Sequence, residues 1–441
     1  MSTKIDQILK LFPLGARVNA LHHLQIADCD CIDIARQYGT PLYVFDEYTI
    51  RYQCREFIKE FTSRYENTEI LYASKAFICK AVASIIKDEG LGLDVVSGGE
   101  ISVASSVKLP GAKIYFHGNN KTIPELEEAL HYGMGRIVVD NFLELEQLNT
   151  LAGARGVKQD ILLRLSPGID AHTHKFTTTG ILDSKFGFPV ATGQAEEAVK
   201  KAMQLPNLNL IGLHCHLGSP IFEASPYELA ISLMFQFAKD MWVKHGFIME
   251  EFSPGGGYAV PYNLKQTAPA VDYYAEHIIK VLLDQIQKHA IKPPRLIIEP
   301  GRSLIARAGF ALYTVGASKH IPGVRDYIFI DGGMGDNIRP ALYEAEYTAV
   351  VASKMTDDPG ETVTIAGKFC ESGDIIIRDA AINAVEAGDI IAIPVCGAYS
   401  IPMSSNYNMV PRPAIVMLNN GKSRIMRKRE TYKDLQRLDR M

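Results

Sequence analysis

The sequence has little net charge and no long apolar run. Its 441 residues carry 46 Lys and Arg against 50 Asp and Glu, which gives a formal net charge of −4. A mildly negative chain lacks the basic surface of nucleic-acid-binding proteins, so we expect no nucleic-acid partner. No segment approaches the ~20 apolar residues of a membrane span, and residues 1–19 lack the layout of a signal peptide. These absences predict a cytoplasmic protein without membrane association.

Cysteine is sparse and shows no pairing pattern. Seven cysteines are spread over the chain. An odd, scattered set in a long chain is typical of reduced thiols rather than disulfides. Cys29 and Cys31 stand too close together, and too far from other ligands, to indicate a zinc site. We therefore expect no structural metal.

Short apolar runs alternate with amphipathic stretches in the first two thirds of the chain. This alternation predicts parallel βαβ units, and eight strands are the number that closes a (β/α)8 barrel. The first strand ends at Lys75, and a helix is predicted from Ala76 to Lys87. The eight predicted strands are Ile70–Ala73, Gly92–Val96, Lys113–Phe116, Arg136–Val139, Ile161–Leu165, Leu210–His214, Glu250–Ser253 and Arg295–Ile298.

The texture changes after about Ala306, where helical patterns become rare and β-rich runs separated by turn residues appear. This predicts an antiparallel β-sandwich or Greek-key domain after the barrel. We expect three parts: residues 1–42 contribute to the β domain, 43–305 form the barrel, and 306–441 form the β domain itself. The predicted strands there are Phe310–Val315, Tyr327–Ile330, Tyr347–Val351, Glu361–Ile365, Ile390–Val395 and Ala414–Leu418, with turn residues between them, as at 357–360 and 419–421.

Polar residues follow the carboxyl ends of the barrel strands, where the active sites of such barrels are built. Lys75 follows the first strand and offers either a surface charge or a Schiff-base amine. Gly255–Gly257 follow the seventh and could bind a phosphate through backbone N–H groups, although a lone glycine triplet is more often a plain turn. Glu299 closes the eighth strand beside Arg302, a pair that is as often structural as functional.

Two histidines end the sixth strand and leave two interpretations open. His214 and His216 are spaced to point the same way from a strand, as metal ligands of a barrel hydrolase do. His172 and His174 in a long loop favour the same alternative. Against it, no third and fourth ligand stand out at the neighbouring strand ends. Ser219 and a glycine follow instead, which suits phosphate binding and a flat ring stacked on an imidazole.

Together these groups indicate pyridoxal 5'-phosphate. A lysine amine, a phosphate-binding loop, a carboxylate for a ring nitrogen and a histidine for a ring face are the parts that this cofactor needs. A non-catalytic carrier of the cofactor and an amino-acid racemase are weaker alternatives. The carrier has no use for the β domain, and the racemase has no need of Glu299.

Taken together, its motifs make the chain resemble the diaminopimelate decarboxylases, in the alanine-racemase-like (fold type III) group of pyridoxal-phosphate enzymes. The resemblance runs almost end to end and rests on motifs that are specific in combination. These are 72–76 (YASKA), 94–100 (DVVSGGE), 117–121 (HGNNK), 183–188 (DSKFGF), 214–219 (HCHLGS), 255–257 (GGG), 299–302 (EPGR), 370–374 (CESGD) and 403–408 (MSSNYN).

The resemblance implies a role for each matching residue. Lys75 would carry the cofactor as a Schiff base, His216 would stack on its ring, and Glu299 would hold the ring nitrogen protonated. Cys370 would be the proton donor and, with Glu371, would enter the site from the partner subunit of a homodimer. The residues implied to bind the phosphate or surround the cofactor are Ser219, Gly256, Gly257, Pro300, Gly301, Arg302 and Tyr399, and those implied to bind the substrate are Arg302, Arg339, Tyr343, Glu371 and Tyr399.

The implied reaction is the decarboxylation of meso-2,6-diaminopimelate to L-lysine and CO2, the last step of lysine biosynthesis. Arg302 and Arg339 suit a distal carboxylate and Glu371 suits a distal ammonium. A decarboxylase acting on a related amino acid in a siderophore, antibiotic or polyamine pathway is the alternative. A metal-dependent barrel hydrolase is the more distant one.

Overall fold

A computed structural model describes residues 4–170, 183–356 and 360–441. The strands within these residues are β1 Arg17–Val18, β2 Leu24–Ile26, β3 Cys29–Asp30, β4 Leu42–Asp46, β5 Thr68–Ala73, β6 Gly92–Val95, β7 Ile114–Phe116, β8 Arg136–Val139, β9 Gln159–Ser166, β10 Phe188–Pro189, β11 Leu208–His214, β12 Glu251–Ser253, β13 Arg295–Ile298, β14 Gly309–Ile321, β15 Arg325–Ile330, β16 Val350–Val351, β17 Glu361–Ala366, β18 Ile375–Ile382, β19 Ile390–Ile393, β20 Ala414–Asn419 and β21 Lys422–Arg427.

The α-helices within the same ranges are α1 Lys4–Leu9, α2 Cys31–Tyr38, α3 Glu47–Thr62, α4 Lys80–Asp88, α5 Gly98–Ser106, α6 Ile123–Tyr132, α7 Phe142–Ala154, α8 Gln194–Gln204, α9 Ser225–His245, α10 Val271–His289, α11 Arg302–Ile305, α12 Arg339–Tyr343 and α13 Tyr432–Gln436. Two compact units are present. The barrel unit comprises residues 53–259 and 268–301, and the sheet unit comprises 1–52, 260–267 and 302–441.

Eight parallel strands close the barrel, in the order β5, β6, β7, β8, β9, β11, β12 and β13, and β13 pairs back with β5. The predicted barrel is confirmed. Its interior is apolar because one residue from each of six strands meets in a single buried cluster, formed by Leu71, Tyr115, Val138, Leu162, Ile211 and Ile297.

Several strand-to-helix turns carry the residue that starts the next helix. Ser97 after β6, Thr122 after β7 and Asn141 after β8 each accept a hydrogen bond from the N–H three residues on, at the start of α5, α6 and α7. Thr122 and Glu125 form a full capping box. Ser97 and Asn141 therefore have a structural role as helix caps.

The amino-terminal end of the barrel is closed by a charged network. Arg136, the first residue of β8, makes a two-pronged contact with Glu251, the first residue of β12, with its Nε and Nη2 at 3.0 and 2.7 Å from the carboxylate. Tyr115 donates a hydrogen bond to the same carboxylate at 2.9 Å. Because this end is filled by mutually satisfied groups, the carboxyl end is the one available for chemistry.

The sheet unit is built on one long strand. β14 pairs with β4, β15 and β19, and the sheet runs β18-β17-β15-β14-β4-β20-β21. Most pairs are antiparallel, as predicted, whereas β15–β17 and β4–β20 are parallel. The unpredicted strands β4, β18 and β21 extend this sheet. Residues 17–30 form a small sheet of their own, β1-β2-β3.

Candidate active site

Lys75 lies at the carboxyl end of β5, but the segment after it differs from the prediction. Residues 74–76 form a single 3-10 turn, Phe77 and Cys79 are extended, and α4 begins only at Lys80. The predicted helix start at Ala76 is therefore wrong by one turn. The Lys75 side chain is 42% exposed, and its Nζ lies 4.0 Å from Oδ2 of Asp94 at β6. The amine thus stands at the barrel mouth beside a buried carboxylate.

Glu299 follows β13 and is held by groups from the two preceding strands. The Ser253 hydroxyl, at the end of β12, donates to Oε1 at 2.7 Å. His214, at the end of β11, contacts Oε2 through its Nε2 at 3.1 Å. Burial opposes ionisation of Glu299, yet His214 and the Ser253 hydroxyl together bring its pKa below its ordinary value. The carboxyl group is therefore a buried anion at neutral pH.

Two buried groups, His117 and Asp94, and the half-buried His216 lie near Glu299 at the mouth. His117 Nε2 lies 3.8 Å from Glu299 Oε1 and 3.8 Å from Asp94 Oδ1. Burial lowers the pKa of His117 and of His216 well below the ordinary value, so both imidazoles are neutral at neutral pH. Burial raises the pKa of Asp94 to about 7, against the attraction of Lys75 and with the repulsion of Glu299.

The predicted His-x-His metal pair does not form a joint ligand set. His214 contacts Glu299, whereas Nδ1 of His216 accepts a hydrogen bond from the Gly256 N–H at 3.2 Å. The strand ends at His214, so the alternation that would align the two side chains stops there. The described groups that could reach one ion are His117, His214 and Glu299, within 4.8 Å of one another. His172 and His174 lie outside the described residues.

Gly255, Gly256 and Gly257 form a loop in which no side chain fits. A Cβ would lie 2.7 Å from Cys215 O at Gly255, 2.1 Å from Glu299 O at Gly256, and 2.5 Å from Gly218 O at Gly257. Gly255 and Gly257 also have φ of +82° and +115°, which favour glycine. The loop therefore packs backbone against backbone beside the segment that follows β11.

These residues fit pyridoxal phosphate on grounds of their own chemistry. Asp94 Oδ1, His117 Nε2 and His214 Nδ1 are buried and have no hydrogen-bond partner within the described residues. Such atoms call for a polar ligand. A buried, ionised Glu299 suits a protonated ring nitrogen, Lys75 provides an amine, and the glycine loop places no side chain between its backbone N–H groups and a phosphate. Of the groups above, sequence reasoning assigned no role to Asp94, His117 or Ser253, although each lies at a strand end, the position that could have identified them.

A second cluster lies in the sheet unit and contains two buried arginines. Arg302 donates to the Tyr262 hydroxyl at 2.5 Å, and its guanidinium lies 4.8 Å from the centre of the Tyr399 ring. Arg339 donates to the Tyr347 hydroxyl and lies 4.4 Å from the centre of the Tyr262 ring. Nε of Arg339 is buried and finds no acceptor in the described part of the chain. The cluster is cationic and aromatic, so it suits an anionic group of a ligand.

Cys370 lies on a surface loop of the sheet unit. It is the exposed cysteine of the seven, and the others are buried. Its N–H donates to Asn408 Oδ1 at 2.8 Å, and the Tyr407 hydroxyl donates to its carbonyl at 3.1 Å. Asp374 accepts hydrogen bonds from the N–H groups of Phe369 and Met334. The 403–408 motif therefore fixes the loop that presents Cys370.

A comparison with protein families shows to which family the chain belongs. Residues 48–306 match the model of the pyridoxal-dependent decarboxylase family, pyridoxal binding domain. The chain belongs to this family. It uses pyridoxal phosphate as its cofactor and is a carboxy-lyase. Among the described residues of this decarboxylase, no helix is long and apolar enough to cross a membrane.

Named relatives of this decarboxylase cover nearly all of its length. It is 43% identical to a diaminopimelate decarboxylase of Bacillus subtilis over 96% of this chain and 97% of the relative. It is 43% identical to one of Synechocystis over 97% and 92%. A crystal structure of diaminopimelate decarboxylase from M. jannaschii, in complex with L-lysine, superposes with a TM-score of 0.90 at 34% identity, covering 97% of this chain and 98% of the other.

Proposed function

We propose that this decarboxylase converts meso-2,6-diaminopimelate to L-lysine and CO2, the last step of lysine biosynthesis. Glu299 is the observation that carries the chemistry, because it is a buried carboxylate kept ionised by fixed donors at the mouth of the barrel. The named relatives support the substrate. The match over residues 48–306 supports residues 43–305 as the cofactor-binding domain.

The barrel residues bind and orient the cofactor. When bound, pyridoxal phosphate would supply the electron sink for loss of the carboxyl group. Lys75 would provide the amine that attaches it covalently, and His216 would offer a neutral imidazole to its ring. Glu299 would accept a hydrogen bond from the protonated ring nitrogen and keep that proton in place. The groups that bind the phosphate or surround the cofactor are Ser219, Gly256, Gly257, Pro300, Gly301, Arg302 and Tyr399.

The sheet unit supplies the groups that recognise the distal end of the substrate. Arg302 and Arg339 bind its carboxylate. The buried Arg339 supports this, because its Nε has no acceptor among the described residues and leaves one donor for a ligand. Tyr343 and Tyr399 contact the substrate, and Glu371 binds its distal ammonium. A substrate that has both a carboxylate and an ammonium at the far end satisfies this set, whereas ornithine lacks the carboxylate.

Cys370 donates the proton that replaces the lost carboxyl group. Its exposure and its fixed backbone support this role, because a donor must reach the reacting atom in a set orientation. Cys370 of the partner subunit and Glu371 of the partner subunit complete each site, so the protein acts as a homodimer. All seven cysteines are free of disulfides, which supports a cytoplasmic location.

Growth and chemical trapping test the proposal separately. Expression of the chain in a bacterium that lacks its own diaminopimelate decarboxylase should restore growth without lysine, and expression of Lys75→Ala should not. Borohydride reduction of the loaded protein followed by peptide mass spectrometry should place the pyridoxyl group on Lys75. A label on another lysine, with growth restored by Lys75→Ala, would contradict the assignment.

A further inference from the structure

Three buried tyrosines pack behind the glycine loop of the barrel unit. The rings of Tyr227 and Tyr258 stack with centroids 5.7 Å apart, and the Tyr274 ring meets Tyr258 edge-on at 5.1 Å. All three side chains are at most 1% exposed. Burying a hydroxyl group costs free energy unless it forms a hydrogen bond, so the partner of each hydroxyl indicates its role.

Two of the three hydroxyls bind backbone atoms around the proposed phosphate site. Tyr227 donates to the Gly256 carbonyl at 3.0 Å. Tyr274 donates to the Ile221 carbonyl at 2.6 Å and accepts from the Ala259 N–H at 3.4 Å. The Tyr258 hydroxyl forms no hydrogen bond with any described residue.

Tyr274 links the two segments that supply the phosphate-binding groups. Ile221 lies two residues after Ser219 in the segment that follows β11, and Ala259 lies two residues after Gly257 in the segment that follows β12. The Ile221 N–H also donates to the Gly257 carbonyl at 2.8 Å. The spacing between Ser219 and Gly257 therefore depends on a small backbone bridge that the Tyr274 hydroxyl closes.

Tyr227 fixes the orientation of one peptide group in that loop. A trans peptide is planar, so its N–H points opposite to its carbonyl. By holding the Gly256 carbonyl, Tyr227 sets the direction of the Gly257 N–H. Glycine has more backbone freedom than any other residue, so a glycine loop needs such an external constraint to present its N–H groups in one arrangement.

We propose that Tyr227 and Tyr274 are positioning residues for the cofactor phosphate, acting through the backbone of Gly256, Gly257 and Ile221. This assignment rests on the proposed function, in which that loop binds the phosphate. It predicts that removing either hydroxyl weakens the binding of pyridoxal phosphate without removing any group that contacts the cofactor.

Three single substitutions test this inference, each removing one oxygen from a buried ring. We expect Tyr227→Phe and Tyr274→Phe to raise the dissociation constant of pyridoxal phosphate about tenfold, as expected for a lost buried hydrogen bond. Tyr258→Phe is the matched control, because it removes the same atom from the same cluster and breaks no hydrogen bond, and it should stay within about twofold of the parent. Binding is measured by titrating cofactor-free protein and following fluorescence quenching.

Pyridoxal, which lacks the phosphate, separates positioning from general loosening of the fold. The two variants should bind pyridoxal as the parent does, so their defect should appear only with the phosphorylated form. Equal binding of pyridoxal phosphate by all three variants would overturn the inference, and so would an equal loss for both ligands. A parent protein that binds no pyridoxal phosphate would instead contradict the proposed function. Melting temperatures of the cofactor-free variants establish that each is folded.

Discussion

At the scale of single residues, the chemistry depends on how the barrel mouth sets the charge of two carboxyl groups. Glu299 and Asp94 are both buried, yet the pKa of Glu299 is lowered and that of Asp94 is raised to about 7. The difference arises from their partners. Glu299 has close hydrogen-bond donors on both oxygens, whereas Asp94 Oδ1 has none among the described residues. The site therefore holds one carboxyl group that is ionised at neutral pH, Glu299, and one that titrates near neutrality, Asp94.

Glu299→Gln tests the role of the ionised Glu299 carboxylate. The amide keeps the size of the side chain but cannot hold a proton on the ring nitrogen, so turnover should fall by at least about 100-fold. The absorbance of bound cofactor should persist, because Lys75 and the phosphate loop are intact. Steady-state turnover and an absorbance spectrum of the same sample check both points. Near-full turnover with cofactor bound would show that Glu299 does not have this role.

Asp94→Asn tests the titrating group through stability. The raised pKa keeps Asp94 protonated in the folded, cofactor-free protein up to about pH 7, whereas the unfolded chain loses this proton near pH 4, so stability falls as the pH rises through that window. The loss is at most about 1.4 kcal/mol per pH unit in that window. Melting temperatures at pH 5 and pH 7.5 should show the variant gaining on the parent at the higher pH.

The control for this measurement is Asp33→Asn, which alters an exposed carboxylate on α2. Its melting temperature should follow that of the parent at both values of pH. If Asp94→Asn and the parent also changed in parallel, the raised pKa of Asp94 would be refuted.

At the scale of elements, the glycine loop after β12 has no room for a side chain at any of its three positions. Its three residues contact the backbone of the segments after β11 and β13, so the loop lies where the successive strand ends converge. We therefore expect substitutions in this loop to lower the stability of the fold as well as to weaken cofactor binding.

Gly256→Ala should disrupt this packing. The added Cβ would lie 2.1 Å from the Glu299 carbonyl oxygen, which is backbone and cannot swing away. We expect a loss of about 1–3 kcal/mol in unfolding free energy and a clear weakening of cofactor binding. Gly99→Ala inside α5 is the control, because its nearest atom is 3.7 Å away and alanine favours a helix. Denaturant unfolding and cofactor titration of both variants check this, and equal behaviour would contradict the packing account.

The sequence predicted barrel strands well where apolar runs are bounded by polar or glycine residues. β8 and β13 have the predicted bounds. β18 was missed because Arg378 and Asp379 interrupt its apolar run, and both are exposed in the strand. β4 is uniformly buried, and such a run does not reveal which sheet it joins. The helix after Lys75 starts late because Phe77 and Cys79 are extended, which residue preference alone does not show.

The site was predicted in part. Lys75, Glu299 and the glycine loop stand at strand ends, so position and residue type were enough to select them. Which neighbours hold Glu299 could not be read from the sequence. Those contacts depend on the barrel bringing β11, β12 and β13 side by side. His214 and Ser253, which precede Glu299 by 85 and 46 positions in the sequence, thereby reach its carboxylate.

At the scale of the whole molecule, the position of Cys370 bears on whether two subunits share an active site. It is exposed on a loop that two residues of the 403–408 motif hold by hydrogen bonds. An exposed thiol on a loop fixed at the surface of one chain is suited to complete the site of another. This is the arrangement that the proposed homodimer requires.

Mixing two inactive variants tests the shared site. Lys75→Ala lacks the cofactor amine and Cys370→Ala lacks the proton donor, so each homodimer should be inactive, although Cys370→Ala should still bind cofactor. After subunit exchange, half of the dimers contain both variants, and each of these has one complete site. The mixture should therefore recover about a quarter of the parent activity. No recovery, with exchange verified by native mass spectrometry, would place both residues in the same subunit's site.

The most direct test of the proposed function is CO2 release by the cofactor-loaded protein from meso-diaminopimelate, L-lysine, L-ornithine and L-arginine offered separately. We predict release from meso-diaminopimelate alone, with L-lysine formed in equal amount. Release from ornithine, arginine or lysine instead, with none from meso-diaminopimelate, would contradict the proposed function.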